Sequence, residues 1–350
     1  MKSKFISFTI LVTGLFIFFL VACEKNKSGM QEANSKTLNY VTFSSQRMAV
    51  GGDYSQTAEK TFNLHPDVTK IKSIKMYVKL DCPQGGCDPW DVYAHIQVKD
   101  PTSGDWYEMG RYITPYGVGN EKTGRGFEID VTDFKSLLQG GNVTLRAFVE
   151  VWGSNGWLLS VDFDFQESKP DYKYYAVAKV LQYNRHSLDG VVYGENASAF
   201  NLAKSITIPK NAKVTHLRTI ITGWGHATPA DGDGRPCAEW CFRTHQIRIN
   251  GNNTFSHYMG PIGCSSNQVQ PQNGNWSPDR AGWCPGMAVP VRINPLVNSM
   301  AGQIFTFEYW FESWKNDLQS TADNKHAYYA ISTYVVVKSD EPIQKPVVVD

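Results

Sequence analysis

The stretch Val143-Thr144-Leu145-Arg146-Ala147-Phe148-Val149-Glu150-Val151-Trp152 decides the fold. Val143, Leu145, Ala147, Val149 and Val151 alternate with Thr144, Arg146, Phe148, Glu150 and Trp152. A period of two sends successive side chains to opposite faces, as in a half-buried antiparallel strand. The same alternation recurs outward along the chain. Ile74, Met76, Val78 and Leu80 oppose Lys75, Tyr77 and Lys79, and Val92, Ala94, Ile96 and Val98 oppose Asp91, Tyr93, His95 and Gln97. Residues 304–314 and 327–337 are rich in aromatic and β-branched types, which favour strands. The one helical pattern is short, over residues 132–139. Charged residues make up only 19% and aromatics 13% of the chain, and Gly and Pro recur between the runs. Many strands, frequent turns and almost no helix predict an all-β chain built as sandwiches or jelly rolls. No internal sequence repeat is present.

The 350 residues suffice for two domains with full cores. A boundary falls at residues 167–170, after the strand-like run 160–165. That predicts one domain over 39–168 and another over 169–350. Formal net charge is +1 with no basic block, which argues against a nucleic-acid partner. At the N-terminus, Lys2 and Lys4 precede an apolar run over residues 5–22, closed by Leu20-Val21-Ala22-Cys23. This is a lipobox-like signal of the bacterial type, with residues 1–23 as signal peptide and Cys23 as the lipidated first residue. An uncleaved membrane anchor is the alternative, because the run is nearly long enough to span. Residues 24–38 are largely polar and read as a flexible tether. The expected location is the cell envelope, as an outer-membrane lipoprotein that meets the membrane only through its lipid.

Six cysteines remain beyond Cys23, an even number that suggests three disulfides in an exported chain. Nearness in sequence makes Cys82–Cys87, Cys237–Cys241 and Cys264–Cys284 the simplest pairing. His226, Cys237, Cys241 and His245 would also suit zinc. Oxidising export and the even count favour disulfides instead, so no metal and no cofactor is expected. No Gly-rich phosphate loop and no Gly-x-Ser-x-Gly elbow is found.

Two cysteine-bracketed stretches concentrate possible chemistry: Cys82-Pro-Gln-Gly-Gly-Cys-Asp-Pro-Trp-Asp91 and Cys237-Ala-Glu-Trp-Cys-Phe-Arg-Thr-His245. Each places a carboxylate beside an indole at a cysteine pair. Carboxylates move protons, and indole faces can pack on sugar rings or serve as core. Asp91 otherwise reads as a strand-end cap, and Glu239 as part of a structural turn. Glu150, sharing a strand face with Trp152, otherwise reads as a salt-bridge partner of Arg146. Trp310 and Trp314 read as core.

These stretches resemble the peptide-N-glycosidase F family. The resemblance runs from about residue 39 to the C-terminus and is dense at Gly223-Trp-Gly-His-Ala, in the Cys237 stretch and at Pro278-Asp-Arg-Ala-Gly-Trp-Cys-Pro-Gly-Met-Ala-Val-Pro. It implies two consecutive eight-stranded antiparallel jelly rolls, the same three disulfides and no metal. It implies hydrolysis of the amide bond that joins an N-glycan to asparagine, with Asp91 as primary catalytic carboxylate and Glu239 and Glu150 assisting. Trp90, Ile113, Trp152, Trp224, Trp240, Arg280 and Trp283 match positions that line or brace the substrate cleft. N-glycosylated proteins or glycopeptides would be the partners, and the enzyme a monomer. Val92 and Gly117 depart from the family, which has Arg and Trp there. Fewer sugar-binding donors and more open space, with altered glycan preference, are expected. A lectin-like module without turnover and a glycosidase cutting between sugars are the competing readings.

Overall fold

The computed structural model describes residues 35–183, 191–192, 202–227, 234–235, 237–311 and 328–350. The signal-peptide expectation, the tether expectation up to residue 34 and the expectation for Trp314 lie outside these residues; at residues 36–38 the tether is corrected, because Lys36–Val41 is a strand paired with Trp157–Glu167. All the paired strands are antiparallel, in two successive sandwiches, as the alternation and the resemblance predict.

In the first sandwich, one sheet orders Lys36–Val41, Trp157–Glu167, Ile71–Asp81 and Phe127–Asp130, with Gln46–Met48 also on Trp157–Glu167. The facing sheet orders Met287–Ala288, Trp106–Ile113, Tyr93–Lys99, Asn142–Val149 and Thr57–Asn63. Between them lie Ile74, Met76, Val78 and Leu80 from one side and Ala94, Ile96, Val98, Leu145 and Ala147 from the other. The second sandwich pairs the sheet Tyr174–Tyr183, Tyr328–Ser339, Val214–Trp224, Arg292–Pro295 (with Val191–Val192) against Asn252–Tyr258, Thr244–Ile249, Ile304–Phe311, Ala203–Thr207 and Val347–Val349. Its core includes Leu217, Ile221, Ile247, Phe305 and Phe307. Setting aside Gln46–Met48 and Met287–Ala288 in the first, and Val191–Val192 and Val347–Val349 in the second, eight strands remain in each. Met287–Ala288 comes from the second half of the chain but pairs with Tyr112 and Ile113 in the first sandwich.

Burial differs from the half-buried expectation. Ile71–Asp81 alternates, but Tyr93–Lys99 is buried along both faces up to its last residue. The second face is covered by the other sandwich. Arg111 donates to Thr222 Oγ1 at 2.7 Å and to the Ala330 carbonyl at 2.8 Å, and the Tyr334 hydroxyl accepts from the Glu108 amide at 2.7 Å. Arg111 and Glu108 are themselves fully buried and paired at 2.8 Å. A second seam cluster joins Asp133 to His216 Nε2 at 3.0 Å and to Arg218 at 3.4 Å. Tyr93, Ile113 and Phe148 also pack with Ile220, Trp224, Trp283 and Tyr328 across the seam. A strand pressed between two layers loses its polar face.

The 132–139 helix is corrected. Only one 3-10 turn forms, Thr132–Phe134, followed by turns. The Leu138 amide bonds the Phe134 and Lys135 carbonyls without propagating a helix. A segment this short gains too few bonds to offset nucleation. Trp310 is also corrected: it is half-buried on the outer face, with the Arg248 guanidinium 4.6 Å from its ring centroid.

Candidate active site

Asp91 ends the loop between the strands Ile71–Asp81 and Tyr93–Lys99. Cys82 and Cys87 are disulfide-bonded at the start of that loop, closing a short ring. Buried Asp88 then accepts from the Trp90 amide at 3.2 Å, and its carbonyl accepts from the Gly117 amide at 3.0 Å. Thr114 clamps the next step: its hydroxyl donates to the Trp90 carbonyl at 2.9 Å and accepts from the Val92 amide at 2.8 Å. Trp90 is held with its indole 59% exposed beside the almost fully buried Asp91 carboxylate.

Glu239 follows the short strand Cys237–Ala238, which pairs with His226–Ala227. Its amide donates to the Gly225 carbonyl at 3.1 Å, and its carbonyl accepts from the Ala281 amide at 2.7 Å. This close seat requires a glycine at 223, where a Cβ would lie 2.2 Å from the Ala238 carbonyl oxygen. Cys264 and Cys284 are disulfide-bonded, and so is Cys241. The Cys237 side chain lies outside the described residues.

Arg280 joins the two carboxylates. It is fully buried, with Nη2 3.3 Å from Asp91 Oδ2 and Nε 3.8 Å from Glu239 Oε1. The same guanidinium donates to the Tyr116 hydroxyl at 3.0 Å and to the Asn275 and Pro278 carbonyls at 2.6 Å. Its centre lies 4.4 Å from the Trp240 ring centroid and 5.5 Å from that of Trp283. Burial pushes Asp91 up to about 7, helped by the Glu239 charge and opposed by Arg280 and the Tyr116 hydrogen bond. Burial likewise raises Glu239 to about 7, against Arg280 and a backbone hydrogen bond with Gly225. Two largely buried carboxylates raised to about 7 beside one cation can each lose or take up a proton near neutrality. Such a pair offers both an acid and a base at one place.

Glu150 stands just past the strand Asn142–Val149, buried, with its amide bonded to the Tyr93 carbonyl at 3.0 Å. Arg146, read from sequence as its salt-bridge partner, pairs with Glu59 at 3.1 Å instead. Trp152, two residues on, is 65% exposed. The sequence-named tryptophans therefore divide. Trp90 and Trp152 present open indole surface, whereas Trp224 and Trp283 are buried and stacked with centroids 4.4 Å apart. Trp283 further donates to the Gly223 carbonyl at 2.8 Å, and Ile113 is fully buried. These three brace the site rather than line it.

Sequence reasoning missed Thr114 and Tyr116 and read His226 only as a possible zinc ligand. The His226 Nε2 accepts from the Trp240 indole at 2.8 Å and lies 3.6 Å from Glu239 Oε2.

Of the two departures at Val92 and Gly117, only the open space expected at Gly117 is corrected. The Val92 side chain is buried in the first sandwich's core, because alternation turns it away from Asp91. No direct sugar contact is open to it. Gly117 does not leave open space: Asn273 donates to its carbonyl at 3.2 Å, and a Cβ there would lie 2.9 Å from Asn273 Nδ2. Its φ of +63° also disfavours a larger residue.

Among the described residues, the only metal-like group of side chains is Cys264, Asp279 and Cys284. Its two cysteines are bonded to each other and so are not thiolate ligands. The Asp279 carboxylate is spent on the Ile262, Gly263 and Cys264 amides.

Sequence profiles described as peptide-N-glycosidase F, N terminal and C terminal, match residues 93–165 and 192–336. A peptide-N(4)-(N-acetyl-beta-D-glucosaminyl)asparagine amidase F from Elizabethkingia miricola is 54% identical over 313 residues, spanning 89% of this chain and 87% of that protein. The solved structure of PNGase F, described as a glycosylasparaginase from Flavobacterium meningosepticum, superposes with a TM-score of 0.85 at 53% identity, covering 90% of this chain and all of that one. PNGF-II, at 15% identity and a TM-score of 0.67 over 87% of this chain and 66% of its own, shares the fold alone. With matching profiles in both halves and more than half of the aligned residues identical, the chain belongs to the peptide-N-glycosidase F family.

Proposed function

We propose that this chain is an amidase that hydrolyses the side-chain amide linking an N-glycan to asparagine. The products are a glycosylamine and an aspartyl residue. The carrying observation is the pair Asp91 and Glu239, both lifted to about 7 and bridged by buried Arg280. The 54% identity to an enzyme named for this reaction supports the same reading.

Water attacks the amide carbonyl carbon, the C–N bond breaks, and the leaving nitrogen takes a proton. Asp91 is the primary acid/base group at the amide. Glu239, held between Gly225 and Ala281, orients the water. Glu150 holds the substrate from the neighbouring strand end. Arg280 stabilises the carboxylate charge and positions both groups, and Trp90 and Trp152 offer indole faces to the inner sugars. Glycoproteins or glycopeptides are the substrates, and the chain acts as a monomer. The domain boundary at 168/169, the lipid on Cys23, a tether that begins at residue 24 and ends before the strand Lys36–Val41, and an envelope location belong to the same proposal. Glycan preference near the cut would be set at Asn273, over Gly117, rather than by Val92.

The test is mass spectrometry of a purified N-glycopeptide after incubation with residues 24–350. Conversion of the glycosylated Asn to Asp with release of intact glycan supports the amidase. Binding without product supports a lectin, and a glycan cut between sugars supports a glycosidase. Asp91→Asn is expected to lower turnover about 10²–10⁴-fold while leaving the melting transition cooperative.

A further inference from the structure

We propose that the first sandwich carries a second saccharide site, which holds an outer branch of the glycan whose inner end is cut at Asp91. The proposal rests on the amidase reading. A groove of about 420 Å³ lies at the seam, within the size range of small-molecule sites. His95 and Gln97 line it from the strand Tyr93–Lys99, and Arg146 and Phe148 from Asn142–Val149. Trp106 stands on one side, and Lys179 and Gln182 of the second sandwich close another.

Gln97 is the informative residue. It is 4% exposed, yet its amide has no hydrogen-bond partner among the described residues. The small part of Gln97 left open is its amide, which reaches solvent at the groove and is free to meet a ligand there. Two β-bulges frame the groove. The register slips between Ile96 and Gln97 on one side and between Lys179 and Leu181 on the other. Bulges re-aim side chains and are enriched beside functional sites.

The chemistry favours a neutral, hydroxyl-rich ligand. The groove's cations already have carboxylates: Arg146 pairs with Glu59 and Lys179 with Asp105, each at 3.1 Å. That leaves little net charge for a phosphate or carboxylate to meet. What remains for a ligand is the Gln97 amide, with donors and an acceptor, beside the Trp106 ring. The Arg146 guanidinium is fixed 3.9 Å from the Trp106 ring centroid. Planar polar groups beside aromatic faces suit sugar hydroxyls and the C–H faces of pyranoses.

Position links the groove to the reaction. Asp91, Tyr93, His95 and Gln97 share one face by alternation, as do Glu150, Phe148 and Arg146. Asp91 and Gln97 are six residues apart, so the groove centre lies roughly 20 Å from the carboxylates at strand spacing. That reach suits an outer sugar, not the one attached to asparagine.

The experiment compares one peptide carrying either a two-sugar stub or a full branched glycan, for wild type and Gln97→Leu. Leucine is of similar bulk and strands no partner, so the variant is expected to melt at or above the wild-type temperature. Its kcat/KM ratio, branched over stub, is expected to fall about tenfold, through KM. A second measurement follows the Gln97 side-chain amide signals by NMR while free branched glycan is added to Asp91→Asn, and they are expected to shift. An unchanged ratio, or an equal fall on both substrates, together with unmoved amide signals overturns the proposal. If wild type releases neither glycan, the amidase reading fails, and the NMR titration still decides this one.

Discussion

Arg280 sits with no solvent exposure between two carboxylates that burial drives toward their neutral forms. Removing its charge takes away the main influence holding both groups down. Arg280→Gln is therefore expected to move the ionisation in the pH–kcat profile upward from about 7, read by initial rates across pH. The same raised groups have a consequence for stability. In the folded protein Asp91 and Glu239 bind protons that the unfolded chain, with ordinary carboxylates, releases between about pH 4 and 7. Stability contributed by this pair is thus present in acid and lost as pH rises through 7, the reverse of a salt-bridged aspartate. Glu239→Gln is expected to raise the melting temperature at pH 8, with the gain shrinking by pH 5, as thermal melts at both pH values would show. Asp91 and Glu239 were legible because cysteines and tryptophans bracket them in sequence. Tyr116 and Thr114 were not, because a hydroxyl reaching a partner more than twenty residues away is a tertiary contact without local pattern.

The strand is the scale at which sequence spoke most clearly. Ile71–Asp81 keeps its predicted faces, and the run from Val143 becomes the strand Asn142–Val149. Full burial of Tyr93–Lys99 was not legible, since the layer covering its second face comes from the other half of the chain. The short helix failed for an energetic reason: its pattern was right, but one turn is all that packs. At this scale the hairpin formed by His226–Ala227 and Cys237–Ala238 is vulnerable at its base. Gly223→Ala brings a methyl against the Ala238 carbonyl and pushes Glu239 away from Arg280. Turnover is expected to fall about tenfold or more while the glycopeptide KM changes less, measured by steady-state kinetics.

Over the whole molecule, the seam between sandwiches is held by buried charge. His216, Arg218 and Lys338 converge on Asp133 and keep its carboxyl well below the usual range. Burial opposes this, but the partners win. A depressed aspartate stabilises above its unfolded pKa and is lost as pH falls toward its folded value. Asp133→Asn would leave Arg218 short of a counter-charge and is expected to cost about 3–5 kcal/mol, read by denaturant unfolding. None of this was visible in the sequence, because its partners lie some 80 or more residues away from Asp133. The strand Met287–Ala288 ties the halves together in another way. On a ribosome, the first sandwich emerges long before residue 287. Until then the Trp106–Ile113 strand has an unpaired edge, open to pairing with another nascent chain. The first half is thus not finished by its own residues, and a truncated gene product ending near residue 168 would carry that open edge permanently.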